Sequence, residues 1–471
     1  MHKPPVRAAS VAALLVAAVG AQTVHVVDDA PGPGVDFTSL PAAVAAAAPG
    51  DVLHVMPGNY EPFSAPSKAL TIRGSGAAST VIDGAPAPGF VQDYVAIQAP
   101  PVGAVFRMSG IAVRRDLVNG GSPSGPPQFG RRIAVYGTGA AAGGSVVLTD
   151  VVSEPVVYGG NAGGVGLYVF GAAVHASRGV FKGGGGSPDP AGADPRGAHG
   201  VETAADARLA LDGCLLVGGD GVGPVGGVAT LVVGASGLLI GGGEAFLHRT
   251  SSFGGTATAP AGTFAFCSGG AGVYVPGPGN LRIAGEAGTT IKGGTGLSVF
   301  GSVTGARGVL TGTGSVVAIH TGATVQAGGT PPIGAPTGGA GLVTFSVPPL
   351  PVTSSTGAAL PDGAWDAAQP TTVSLDVASL PGGLFVLFAA LAPGYQSPFG
   401  AALTGPALVA SFDGVLVVGQ LDAAGHFGFS LVAATDAPAL LDVPLHLQGF
   451  AYDAGLGVWR ASNAEIRTLR L

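Results

Sequence analysis

Three stretches in the middle of the chain constrain its fold more than any other feature. They read GLYVFGAAVHASRGVFKGGGG (166–186), GVETAADARLALDGCLLVGGDG (200–221) and ATLVVGASGLLIGGG (229–243). Each holds two or three short apolar runs of strand length and closes on a glycine cluster. Units recurring at roughly 20–24 residues predict a solenoid. There, each strand stacks on its counterpart in the next coil, about 4.8 Å away, and each coil buries its inner face only against neighbours. Glycine suits the corners, where positive φ or close approach is required. Looser copies run on through LRIAGEAGTTIKGG and LSVFGSVTGARGVLTGTGSVVAIHTGATVQAGG.

Composition supports a folded chain. The 84 glycines and 38 prolines among 471 residues would suit collagen or disorder. No Gly-X-Y period exists, 47% of residues are hydrophobic and the net charge is only −7, which favours a folded β-rich protein. Residues 1–21 read as a secretory signal: Lys3 and Arg7, then AASVAALLVAAV, then VGA before Gln22. The alternative is a retained anchor, although the apolar run is short for a span of about 20 residues. Cleavage removes two of the 20 basic residues and leaves 18 against 27 acids. A mildly acidic exported protein without a basic run is a poor nucleic-acid binder. The uncharged segment 221–243 carries nine glycines and reads as buried β structure, so no transmembrane span is expected in the mature chain.

The stretch AAAAPGDVLHVMPGNY (45–60) marks where the solenoid begins. Thr38 is the expected N-cap of a helix over 38–48, with Leu40, Val44 and Ala47 on one face. Pro49-Gly50 stops it, and DVLHVMP follows as a strand that Pro57-Gly58 turns. LTIRGSG and TVIDGAP supply further short strands. The segment SLPAAVAAAAPGDVLHVMPGNYEPF (39–63), with ALTIRGSG and TVIDG after it, resembles the N-terminal opening of the right-handed parallel β-helix proteins, the pectin-lyase-like superfamily. The resemblance implies an all-β solenoid whose end is capped by this helix. It implies no particular activity.

The expected organisation is a signal peptide at 1–21, a parallel β-helix at 22–330, a linker at 331–362 and a C-terminal β-sandwich-like domain at 363–471. The linker is expected from GGTPPIGAPTGG and SVPPLPVTSSTGAALPDG. The last domain is expected from alternating strands such as HFGFSLV and LHLQGFAY. It resembles small C-terminal domains of exported bacterial proteins in its HLQGFAYD and ASNAEIRTL segments. Cys214 and Cys267 are 53 residues apart, between two and three coils at that period. Stacked positions two coils apart would lie roughly 9–10 Å from each other, beyond disulfide reach, so two unpaired buried thiols are expected.

Chemistry is sparse. Gly221, Gly223 and Gly226 match G-x-G-x-x-G, but Pro224 lies inside the match and no helix follows, so nucleotide binding is rejected. Histidine spacing offers no zinc site, and no cofactor is expected. The resemblance invites a test against polygalacturonases of the superfamily. Asp150, His199 in AHG and Lys292 in TIK approximate their three elements, but the paired aspartates before His199 are missing and Thr290 stands where the arginine should be. A lyase would need a base with a cation site, for which Lys182, Arg196 and His199 are the candidates. Asp28-Asp29 are expected to shape the start of the chain, and Tyr158, Tyr168 and Phe170 to pack on the coils.

The polar excursion at 183–200 gathers Asp189, Asp194, Arg196 and His199, and these are the expected ligand contacts. The resulting expectation is an exported, noncatalytic extracellular or cell-surface protein with a structural, adhesive or glycan-binding role. A polysaccharide or cell-surface component is the expected partner. The alternative is a polysaccharide lyase or glycoside hydrolase acting on uronate-rich glycans.

Overall fold

The computed structural model describes residues 23–470 apart from 84–92, 115–129, 140–142, 156–163, 187–195, 224–229, 261–264, 284–287, 298–302, 321–322, 329–341, 348–351, 357–364, 367, 378–379, 391–402, 405–413 and 432–443. Two compact units divide these residues, one ending at Val347 and one beginning at Pro348.

The first unit is a right-handed parallel β-helix with three walls. Among the described residues the first wall has eleven strands, from Val24–Val27 to Leu342–Val347. The second has nine, from Gly58–Tyr60 to Thr324–Gln326, and the third eight, from Phe63–Ala65 to Val309–Thr311. Inward side chains of all three walls form one continuous core. On the first wall it is built from Val146, Val174, Leu209, Ala245 and Leu281, which are successive register partners. Each large apolar side chain buried in such a row is worth roughly 1.5–3 kcal/mol.

The expected helix forms but is shorter, Leu40–Ala46 instead of 38–48, with Ser39 as N-cap in place of Thr38. Leu40, Ala43 and Val44 are buried in the solenoid core. Lys68 Nζ donates to the carbonyls of Val44 (2.7 Å) and Ala47 (2.5 Å), closing the helix end. The Pro-Gly-Asp break then has a physical reason. The Asp51 carboxylate accepts from Ala48 N (2.7 Å) and Thr23 N (3.3 Å) and meets His25 Nε2 (3.2 Å), tying helix exit to first strand. Pro-Gly-Asn-Tyr has another. A Cβ on Gly58 would lie 2.4 Å from Asp29 Oδ2, and that oxygen accepts from Asn59 N. Asp29 thus shapes the start of the chain, as does Asp28, which accepts from Ala30 N.

The coil length differs from the 20–24 residues that the sequence suggested. Arg208, Glu244, Asn280 and Val316 are successive register partners on the first wall, so these coils take 36 residues each. The extra length lies in a side lobe between the second and third walls. Its two small parallel sheets are Gly221–Val222, Ala257–Thr258 and Gly296–Leu297, and Thr230–Val233, Ala265–Ser268 and Val303–Thr304. Val232, Ala257, Ala259 and Cys267 fill the space between them.

A neck separates this lobe from the main core. There the outgoing and returning chains alternate in one hydrogen-bonded column: Gly184, Ala198, Gly219, Ala235, Gly255, Gly270, Gly294, Ala306 and Gly328. Every amide after the first donates to the carbonyl before it, at 2.7–3.0 Å. A Cβ on Gly219 would lie 1.9 Å from Gly184 O, and one on Gly255 2.0 Å from Gly219 O. The glycine clusters are therefore places where two backbones touch.

Neither cysteine forms a disulfide and both are buried, as expected, but for a different reason. Cys214 follows a first-wall strand, with its thiol toward the carbonyls of Ala176 and Asp212, while Cys267 lines the side lobe one coil on.

The second unit is all-β. Its larger sheet contains the antiparallel strands Gly414–Gln420, Leu384–Ala390, Pro444–Asp453 and Val458–Arg470. A smaller antiparallel sheet contains Val352–Thr356, Thr371–Asp376 and His426–Leu431. Val373, Leu375, Phe385, Leu387 and Leu447 form its core. The expected linker at 331–362 thus holds two strands: Leu342–Val347 extends the first wall of the β-helix, and Val352–Thr356 belongs to the second unit. The boundary therefore falls between 347 and 348, not at 330. Gln448 and Ser462, from the segments singled out in the sequence, interlock across a bulge. Gln448 Nε2 donates to Ser462 O (2.7 Å), and Ser462 Oγ accepts from Gly449 N (2.9 Å).

Candidate functional site

The residues expected to carry chemistry are dispersed. Asp189 and Asp194 lie outside the described residues, as does Tyr158. Arg196 is exposed. His199 turns into the coil stack, where its Nδ1 accepts from Ser236 N (3.1 Å). Burial pushes its pKa down to about 4, so it is a neutral structural acceptor at ordinary pH. Asp150 sits at the corner between first and second walls with φ 52°, bound bidentately by Arg178 of the next coil (2.8 and 2.6 Å). Lys182 pairs with Glu154 on the second wall (2.6 Å), and Lys292 ends a strand of that same wall. Asp150, His199 and Lys292 therefore occupy different parts of the coil, and among the described residues they form no polygalacturonase-like constellation.

A different cluster emerges on the outer face of the third wall. Long connecting segments precede its strands Asp93–Gln98, Arg131–Tyr136, Val165–Phe170 and Val201–Ala204. Register places Ala96, Ala134, Tyr168 and Glu202 in one row along the solenoid, and Gln98, Tyr136, Phe170 and Ala204 in the row beside it. Buried Ala96 and Ala134 form a low floor over which larger neighbours lean. Tyr136 Oη donates to Asp93 Oδ2 (2.5 Å) and accepts from Arg131 Nη1 (2.7 Å). Arg131 Nη1 is 3.6 Å from Asp93 Oδ1, and its guanidinium carbon lies 3.8 Å over the Tyr168 ring. Tyr136 meets Tyr168 edge-on, and Tyr168 stacks beside Phe170 with ring centroids 6.4 Å apart.

Tyr168 packs as expected, whereas Phe170 is 42% exposed and caps the ledge. Burial, and then the bond to Asp93, pushes the Tyr136 phenol up to about 12. Burial also raises the Glu202 carboxyl, against the pull of Arg131. The result is a half-buried arrangement of rings and polar groups whose geometry is braced from within. It can present a flat apolar ring beside hydrogen-bond acceptors. Asp93 is already engaged, and Glu202 stands three strands away in the sheet, about 14 Å between backbones at the usual strand spacing.

Sequence reasoning missed Asp93, Arg131, Tyr136 and Glu202. The available signal was the aromatic residues of RRIAVY and GLYVF, on two strands that each follow a long excursion. Among the described residues no group of three or more His, Cys, Asp or Glu side chains is placed to hold a metal ion, and no helix is long and apolar enough to cross a membrane.

No family model and no curated protein matches the chain. Among solved structures, pectin methylesterase PemA from Erwinia chrysanthemi is similar over 62% of this chain and 89% of its own, with 13% identity and a TM-score of 0.30.

Proposed function

We propose that this is an exported β-helix protein that binds glycan on the outer face of its third wall and does not turn it over. The observation that carries the reading is the exposed Phe170 ring, flanked by the braced Arg131, Tyr136 and Tyr168 group and by Glu202. An aromatic face beside polar groups suits the alternating C–H and hydroxyl surfaces of a sugar. Successive coils repeat at about 4.8 Å, close to the length of one hexose, so a chain laid along the solenoid meets one row position per sugar. A noncatalytic role is supported by the engagement of Asp93 with Tyr136 and Arg131, and by the inward turn of His199. Proton transfer needs a group held within reach of the scissile bond and free to exchange.

The test uses the chain from residue 22 onward with neutral and acidic polysaccharides. Binding is read by titration calorimetry, and turnover by reducing ends and by absorbance of unsaturated uronates. Saturable binding without product is expected, with affinity falling roughly 5-fold or more in Phe170→Ala, the loss of about 1 kcal/mol of ring contact. Sustained product formation that Asp93→Asn or His199→Ala abolishes would establish the lyase or hydrolase reading instead.

A further inference from the structure

We infer that the glycan site continues past the ledge, along the solenoid, into a groove between the third wall and the side lobe, and that its ligand is therefore a long linear polysaccharide; this rests on the glycan-binding reading above. The row that holds Ala134, Tyr168 and Glu202 runs on through Leu239, Tyr274 and Leu310, each the register partner of the one before. Leu238, Val273 and Val309 turn into the core. The residues next to them therefore stand on the outer face, where all three are partly exposed. Tyr168 to Tyr274 is three coil steps, about 14 Å at the usual strand spacing, and Leu310 lies one step beyond.

The side lobe supplies a flank to this row. Its return strands, Thr230–Val233 and Ala265–Ser268, lead through the neck into the third-wall strands Leu238–Ile240 and Val273–Val275. A lobe that projects from the corner between two walls makes a re-entrant angle with each, and the return strands lie on the third-wall side. Val232 and Cys267 fill the lobe interior, so Leu231 and Phe266 beside them face outward, into that angle. They are register partners of each other, 62% and 49% exposed, and belong to the coils of Leu239 and Tyr274. Apolar side chains thus line up along the axis, on the wall and on the lobe beside it. A compact ligand would engage one coil of such a strip. A polymer laid along the axis meets a ring or an aliphatic side chain at coil after coil, on the row that already holds Tyr168. A chain stacked on Phe170 is carried past Glu202 onto Leu239 and Tyr274, with Phe266 at its side. Contacts joined along one chain reinforce each other, since the first places the sugar that makes the next.

The experiment titrates the chain from residue 22 onward, by calorimetry, with xylo-, cello- and β-1,4-galacto-oligosaccharides and with oligogalacturonates, each as trimer and hexamer. At one sugar per coil a hexamer reaches from Phe170 past Tyr274, and a trimer does not. In at least one series the hexamer is expected to bind roughly 10-fold tighter than the trimer. Phe170→Ala and Tyr274→Ala should each weaken the hexamer about 5-fold or more. Circular dichroism checks that each variant folds. Phe266→Ser, at an exposed position on the lobe, is the second groove variant and is expected to weaken the hexamer as well. A trimer that binds as tightly as the hexamer, or a hexamer affinity unchanged in both groove variants, overturns the extension and leaves the ledge reading standing. Loss in the groove variants with no change in Phe170→Ala confines the site to the groove and overturns both. Absence of binding to every probe overturns the glycan-binding reading itself, and this inference with it.

Discussion

Asp51 shows how one side chain sets the start of the solenoid. Its carboxylate serves two backbone amides and His25 at once, and the bond from Ala48 N holds its pKa below the usual carboxylate range. Asp51→Ala leaves those amides without their acceptor and is expected to cost about 1–3 kcal/mol, read as a lower denaturation midpoint. Because the folded pKa is depressed, this contribution is present above the ordinary value of 3.8 and is lost as pH falls below it. Histidines act earlier in an acid titration. Burial brings both His175 and His199 down to about 4. At pH 7 they are neutral in both states. Below about 6.5 the unfolded chain takes up protons that the folded chain refuses until about pH 4, costing about 1.4 kcal/mol per pH unit for each histidine. We therefore expect the denaturant midpoint to fall steadily from pH 7 to 4.5, and less steeply in His175→Gln. A flat profile over that range contradicts the burial of these rings.

Elements explain the glycine content and also why the sequence misled on coil length. Each 36-residue coil crosses the neck twice, once outward near Gly219, Gly255 and Gly294 and once inward near Ala235, Gly270 and Ala306. Counting from one glycine cluster to the next therefore measures part of a coil. The side lobe was invisible because its strands are two to four residues long and share the composition of the walls. The same error undid the spacing argument for the cysteines, although both are buried and neither forms a disulfide. The cap helix, by contrast, was legible to within two residues at each end, since capping, proline and periodicity act locally. The neck yields a paired prediction. Gly255→Ala would place a methyl 2.0 Å from Gly219 O and is expected to lower stability by about 3 kcal/mol or to prevent folding. Gly277→Ala meets nothing within 4 Å and should change it by less than about 0.5 kcal/mol. Thermal melts of the two variants decide the point. In the C-terminal unit, Gln448→Ala removes the side-chain donor to the buried Ser462 carbonyl at the bulge and should cost about 1–3 kcal/mol.

At the scale of the whole molecule, stability is a sum over coils, and function depends on which side chains the coils bring into line. The candidate ledge draws on four strands between Asp93 and Ala204, in coils of unequal length: Asp93 pairs with Arg131, Arg131 with Val165, and Leu167 with Val201. Spacings of 34 and 38 residues exceed the roughly 20–24-residue period read from the sequence, so that period did not pair the residues that meet in space. The excursion at 183–200 was legible as a polar interruption, yet its histidine serves the coil stack, and the outward carboxylate is Glu202, on the strand that follows. The parallel β-helix itself was legible because every coil repeats the same local grammar. The end of the solenoid was not, because Leu342–Val347 joins the first wall only after a long connection. The central claim is that the third wall is the binding face. It is tested most directly by hydrogen–deuterium exchange of the full chain with and without a saturating oligosaccharide of a glycan that it binds. The account predicts slower exchange in Asp93–Gln98, Arg131–Tyr136, Val165–Phe170 and Val201–Ala204 and none in the first wall. Protection that leaves these four strands unchanged, or that is confined to residues 348–471, would contradict it.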